Sequence, residues 1–155
     1  MGESNVIPPP MDDSVVEHVQ RVWVTTKGKS PLYDLLLQDI VIFSAARGYV
    51  QARIQVQHIH VNSKGTLHGT ISACLVDWAG SMAIASYGRD KTGLSTDIHI
   101  QYVSGAKEGD WLEVEGRASK VGGTIAFTTA TIRKIVDYTA DTVVATGTHT
   151  KYVKQ

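Results

Sequence analysis

Cysteine is all but missing: the chain has one, Cys74, in 155 residues. That excludes an intrachain disulfide framework and fits a reducing compartment. An excess of charge is missing too. Fifteen Lys and Arg balance fifteen Asp and Glu, so there is no long-range field for nucleic acid or an anionic membrane. Charge is also sparse, 19% against a usual ~25%, which points to surface covered by another subunit. No basic region followed by an apolar core stands near the start, so no signal peptide is expected. MGESNV has Val6 where a myristoylation pattern wants Ser or Thr. The stretch from Gly65 to Tyr87 is poor in charge but interrupted by His68, Asp77, glycines and serines, so no membrane insertion is expected. These absences describe a soluble cytoplasmic protein, with the mitochondrion as the alternative compartment.

What is present reads as one domain, long enough to bury about 70% of its unfolded surface. Residues 1–11, with Pro8-Pro9-Pro10, are expected to form a flexible arm and 12–155 the domain. Ser14-Val15-Val16-Glu17 has the capping-box pattern, and Val15, Val19, Val22 and Trp23 continue it as a short amphipathic helix. Lys27 to Pro31 is a breaker. Two strands follow as a hairpin, one within Asp39–Ala46 and one carrying Val50, Ala52, Ile54 and Val56. Beyond the long apolar stretch come strands at Thr96–Tyr102, Trp111–Val121, Ile125–Val136 and Thr142–Tyr152. In the first of these, Thr96, Ile98, Ile100 and Tyr102 share one parity, and Ser95, Asp97, His99 and Gln101 the other.

The apolar stretch organises the rest. Ile71, Cys74, Leu75, Trp78 and Met82 recur at helical spacing, and the other faces are small or apolar as well. Such a helix is wrapped by other elements rather than laid on a surface. Its one full charge, Asp77, is costly to bury unless it is paired, hydrogen-bonded or open to a cleft. Asp77 is therefore either a satisfied structural carboxylate or a chemical one. At the helix start, Gly69 lets a ligand approach the backbone, and its N–H points out of a positive dipole end. It is either an oxyanion donor or a glycine used for packing. Eight residues of helix separate Gly69 from Asp77 by roughly 12 Å, whereas donor and attacking atom must both lie within about 3–3.5 Å of the reacting group. If both act, Gly69 of one subunit meets Asp77 of another across a two-fold axis, and the small Ala73 and Gly80 would permit the approach. His58 and His60 have no carboxylate or cysteine at ligand spacing, so no metal and no cofactor is expected. Cys74, with no adjacent base, reads as a core thiol, and Gly122-Gly123 as a hairpin turn.

HVNSKGTLHGTISACLVDWAGSMA, GLSTDIHIQYVSGAKEGDWLEVEGRASKVGGTIAFTTATI and the terminal GTHTK together resemble the hotdog-fold acyl-CoA thioesterases, the bacterial phenylacetyl-CoA type and the small animal enzymes in particular. The resemblance runs from about Val41 to Tyr152. It implies an α+β fold: an antiparallel sheet wrapped around a long central helix, with an extra N-terminal helix, and homodimers or homotetramers pairing sheets edge to edge. Position by position it implies that Asp77 is the general base or nucleophile and that Ser95 positions the water beside it. Gly69 would polarise the thioester carbonyl, Asn62 stand at the mouth of the oxyanion site, and His68 support it. Asp77 and Ser95 would come from one subunit, and Asn62, His68 and Gly69 from its partner. Two departures stand out: Thr70 where the family has a second glycine, and Gly105 where it has a proline.

The implied activity is hydrolysis of acyl-CoA to free acid and CoA, with CoA a part of the substrate. A thiolate leaving group, its acid having a pKa of about 8.5, needs little general-acid help. One carboxylate and one oxyanion donor suffice. Arg89, Lys91, Lys107 and Lys151 are candidates for the CoA nucleotide by charge alone. Two other readings are a hotdog acyl-thioester dehydratase or hydratase, using His68 and a partner's Asp77, and a non-catalytic acyl-CoA binding module, suggested by Thr70.

Overall fold

The computed structural model describes residues 7–154; of the arm expected over residues 1–11, residues 1–6 lie outside the described part. Its centre is a helix over Gly69–Ala85, buried at Ile71, Leu75, Val76, Trp78 and Met82 and continuously from Trp78 to its end. Only a stripe at Gly69, Thr70, Ala73, Cys74 and Asp77 retains exposure, one residue or two per turn on a single face. A six-stranded antiparallel sheet wraps the remainder. Its strands are β1 (Val41–Ala46), β2 (Tyr49–Gln55), β3 (Leu94–Tyr102), β4 (Trp111–Val121), β5 (Ile125–Val136) and β6 (Thr139–Tyr152), in the order β1-β2-β4-β5-β6-β3. The helix lies close on the sheet because glycines face it. A Cβ on Gly116 of β4 would stand 2.5 Å from the carbonyl oxygen of Ala79, and one on Gly147 of β6 would stand 2.7 Å from Val76 Cγ1.

Three helices precede β3: α1 (Asp13–Lys27), α2 (Pro31–Leu36) and the central one, α3. The N-cap of α1 is Asp12, not Ser14. Its carboxylate accepts from the N–H of Ser14 at 3.0 Å and of Val15 at 3.3 Å, and from the Ser14 hydroxyl at 2.7 Å, which a carboxylate does better than a hydroxyl at a positive helix end. Val19, Val22 and Trp23 are the buried face of α1, as the spacing predicts. α2 lies where sequence reading ends in a breaker. Ser30 caps it and Pro31 sits at its first position, a start signal for a helix too short to show a period.

Strands β4 and β5 run over the residues expected. β6 begins earlier than Thr142, because Asp137 and Tyr138 both take positive φ, 47° and 66°, and turn the chain in two residues. β3 holds a larger correction. Its register against β6 jumps from Ser95↔Lys151 to Asp97↔Thr150, so Thr96 is an extra residue, a bulge. Strict alternation puts Ser95 on the face opposite Ile98 and Ile100; the bulge turns it to the same face, toward α3. β3 is also an edge strand, exposed at every residue except Ile100, with Leu94, Ile98 and Tyr102 among its exposed side chains.

Candidate active site

Asp77 is the carboxylate on the exposed stripe of α3, its side chain 31% accessible. Tyr33 of α2 donates its phenol to Asp77 Oδ2 at 2.5 Å. Ser95 of β3, brought inward by the bulge, donates to Oδ1 at 3.4 Å. Behind Ser95, on β6, stands His149, its Nε2 2.8 Å from the Ser95 hydroxyl and 3.6 Å from Asp77 Oδ1. Three separate elements therefore converge on one carboxylate. The convergence of Asp77 with Ser95 is the pairing expected from the resemblance; Tyr33 and His149 join it.

His149 is 1% exposed. Burial first, and then the nearby Lys151, push its pKa below the usual imidazole value, against the pull of Asp77 and Asp97. The neutral ring has one N–H to place. On Nε2 it donates to Ser95, freeing the Ser95 proton for Asp77. On Nδ1 it would be a buried donor, and that atom has no hydrogen-bond partner among the described residues. The Nε2–H tautomer follows, and with it a one-way chain His149→Ser95→Asp77. Gly80 makes room for this ring, since a Cβ there would stand 2.5 Å from Thr128 Oγ1 and 2.9 Å from His149 Nδ1. Gly80 thus faces the sheet and the histidine, and of the two small residues expected to admit a partner only Ala73 lies on the exposed stripe.

The unfolded imidazole protonates near 6.5, while the folded one resists it. Below that value the unfolded chain binds more protons than the native one, so the stability held by neutral His149 is full above about 6.5 and lost as the pH falls toward the folded value. Thermal melts taken from about pH 7.5 down to about 5.5 should therefore show a falling midpoint, and a shallower fall in His149→Gln, which keeps a donor toward Ser95 but does not titrate. Equal slopes in the two proteins would assign the acid sensitivity elsewhere.

The other expected residues lie at the N-terminus of the helix and in the loop before it. His68 is the N-cap of α3, its Nδ1 accepting from the N–H of Thr70 at 3.1 Å. The N–H groups of Ile71 and Ser72 go to the His68 carbonyl. That leaves the N–H of Gly69, which has no acceptor among the described residues and points out of the positive helix end. Asn62 folds its side chain back on its own loop, accepting from the N–H of Lys64 and donating to Thr66 Oγ1 at 2.9 Å. Thr70 is exposed and leaves the helix start intact; Gly105 lies where a Cβ would meet nothing within 4 Å. Within one chain, Gly69 and its cap His68 stand about 12 Å along the helix from Asp77 and its partner Ser95, and the Asn62 side chain is taken up by its own loop.

Some charge-based candidates move. Lys151 is 4% exposed and donates to Ser81 Oγ at 2.7 Å inside the molecule, and burial pushes its pKa down. A strand residue paired with Ser95 faces inward, so Lys151 cannot serve a nucleotide at the surface. Arg89 is held by the carbonyls of Val153 and Gly122. His58 pairs with Glu108 at 3.1 Å, and buried His60 uses both ring nitrogens, on Gln57 N–H and Leu36 O. Cys74 is half-buried rather than buried, and its thiol is pushed up to about 12 by burial and then by Asp77, which keeps it protonated and unreactive. Tyr33 and His149 escape sequence reading because each sits in an unremarkable local pattern, His149 within the terminal GTHTK.

The thioesterase superfamily profile matches residues 64–140. Acyl-coenzyme A thioesterase 13 of Mus musculus is 34% identical over 125 residues, spanning 81% of this chain and 87% of that protein. Among solved structures, zebra fish thioesterase superfamily member 2 superposes with a TM-score of 0.75 at 31% identity, covering 93% of this chain and 99% of that one. The Mus musculus member 2 gives 0.73 at 30% identity, covering 86% and 96%. A long helix wrapped by one antiparallel sheet, the HG start and the carboxylate of that helix, and relatives matched over nearly their full length place this chain in the thioesterase superfamily, with its hotdog fold.

Proposed function

We propose that the protein hydrolyses acyl-CoA thioesters to free acid and CoA. The observation that carries this reading is the single carboxylate of a largely buried helix, half-buried on that helix's one accessible face and held by Tyr33 and Ser95 at the sheet edge, in a chain 34% identical to an acyl-CoA thioesterase. Asp77 takes a proton from water as the water oxygen bonds to the thioester carbon. The carbonyl oxygen, now an oxyanion, is held by the Gly69 N–H. The C–S bond then breaks, CoA leaves as a thiolate, and the proton held by Asp77 is released to the thiolate or to solvent, restoring the carboxylate.

This requires two subunits, because Gly69 and Asp77 of one chain are too far apart. A homodimer pairing β3 edges, alone or within a tetramer, would bring them together. The support is a bare edge strand carrying Leu94, Ile98 and Tyr102, 75%, 39% and 61% exposed, together with the small-residue stripe of α3 beside it. An unpaired apolar edge of this length is otherwise an aggregation hazard. Lys91 and Lys107, both exposed, remain the cations proposed for the CoA nucleotide. The cytoplasm is the proposed location, on the single thiol, and no helix among the described residues is long and apolar enough to cross a membrane. Two rival readings make different demands on the helix start. For the binding-module reading, Thr70 disturbs nothing at the helix start; for the dehydratase reading, His68 has Nδ1 engaged as a helix cap and lies about 12 Å along the helix from Asp77 of its own chain, so that reading too would need a partner's Asp77.

Thiol release from short-, medium-, long-chain and aryl acyl-CoAs tests the reading. Turnover on at least one class is expected. Binding without thiol release would make the protein an acyl-CoA carrier, and enoyl interconversion without thiol would make it a hydratase.

A further inference from the structure

We propose that Tyr33 is a positioning residue of the hydrolytic site: its phenol fastens Oδ2 of Asp77 so that Oδ1, beside Ser95, is the oxygen that faces water. This rests on the hydrolytic reading above and extends it to α2, an element outside the central helix and the sheet.

The geometry is asymmetric. A carboxylate on a helix surface can rotate about its terminal bond and present either oxygen. Here Oδ2 receives a 2.5 Å bond from a phenol, within the short range of hydroxyl donors to carboxylates. Oδ1 receives only the long 3.4 Å contact from Ser95. The tightly bonded oxygen is the anchor, and the loosely bonded one has lone pairs left for a water. Burial and the Asp77 charge push the Tyr33 pKa up, so the phenol stays a donor throughout the working pH range.

Tyr33 is itself braced. Its ring meets Trp23 of α1 edge-on at 5.7 Å, and Trp23 meets Trp78 of α3 in the same way at 5.7 Å. The short helix that carries it is clamped at both ends. Ser30 Oγ accepts from the N–H of Tyr33 at the start, and His60 Nε2 bonds the carbonyl of Leu36 at the finish, 2.8 Å away. A hydroxyl intended only for solvent would not need a proline-started, histidine-clamped turn to aim it. Trp23, itself backed by Trp78, accounts for the packing of the ring; it does not account for the direction of its oxygen.

Steady-state thiol release by Tyr33→Phe, Tyr33→Leu and the wild type tests this, with thermal melts alongside. Phe keeps the edge contact with Trp23 and loses only the donor. The expected result is a kcat about 10- to 50-fold lower for Tyr33→Phe, with KM within about twofold and a melting midpoint lowered by only a few degrees. Tyr33→Leu should show the same kcat and a clearly larger drop in midpoint, separating the hydroxyl from the ring. An unchanged or raised kcat in Tyr33→Phe, with the wild type active, overturns the role of Tyr33 alone. A loss confined to KM would make Tyr33 a substrate contact and also overturn it. No turnover by the wild type on any acyl-CoA overturns the hydrolytic reading and the Tyr33 role together.

Discussion

Asp77→Asn is expected to lower kcat for acyl-CoA hydrolysis by about 1,000-fold or more, with the fold and oligomeric state intact. Asn is nearly isosteric. Its carbonyl oxygen can still accept from Tyr33 or from Ser95, and one exposed amide on α3 leaves the core residues Leu75, Val76 and Trp78 undisturbed. What it cannot do is accept the proton that water sheds on attacking the thioester. General-base assistance contributes about 10²–10⁴, and the side chain offers no substitute: His149 is buried behind Ser95 with its N–H directed to that hydroxyl, and Cys74 holds its proton. Single-turnover thiol release with the best acyl-CoA, beside a circular dichroism spectrum and a sedimentation run, provides the check. Retention of more than a tenth of wild-type kcat would remove Asp77 from the role of base.

Gly69→Pro should cost about 100- to 1,000-fold, the usual effect of deleting one oxyanion donor. The substitution removes the N–H while keeping the helix start. Gly69 is the first residue of α3, where proline is favoured. His68 already has φ −68° and ψ 134°, the region a residue before proline adopts. A Cβ at position 69 would press on the ring of Tyr102, 3.1 Å away, and turning that 61% exposed ring aside gives up the 3.2 Å bond its hydroxyl donates to the Gly69 carbonyl, a loss at the surface that leaves the helix in place. The larger effect comes from combining the two variants. If each site takes Asp77 from one subunit and Gly69 from the other, a dimer of one Asp77→Asn chain and one Gly69→Pro chain has one site doubly damaged and one wholly intact. Two nearly dead parents, purified as a differently tagged heterodimer, should then recover about half of the wild-type rate per dimer. If both residues served one site within a chain, every site in that heterodimer would be damaged and no activity would return.

The parts of the site that sequence reading found are those whose chemistry stands out against their neighbours. Asp77 is legible because it is a charge in an apolar helix, and Gly69 because it opens that helix after a histidine. Ser95 was reached only through the resemblance, since its own strand parity assigns it to the wrong face. The Thr96 bulge that corrects this is a property of how β3 registers on β6, and two residues facing one have no signature in a run of Ser, Thr and Asp. Lys151 shows the same limit from the other side: its charge suggests the surface, whereas strand register turns it inward onto Ser81.

From the sequence alone come the long buried helix, the hairpin before it, four strands after it, the class of fold, and a distance argument that separates Gly69 from Asp77. Each follows from local periodicity or covalent length, quantities that survive without knowing what packs on what. Tertiary structure decided the rest. It brought Tyr33 of a six-residue helix, Ser95 of an edge strand and His149 of the last strand to the two oxygens of Asp77, residues 44, 18 and 72 positions away in the chain. Contacts of that kind depend on register and on where glycines let the helix descend onto the sheet, and neither is written in any short stretch of the chain.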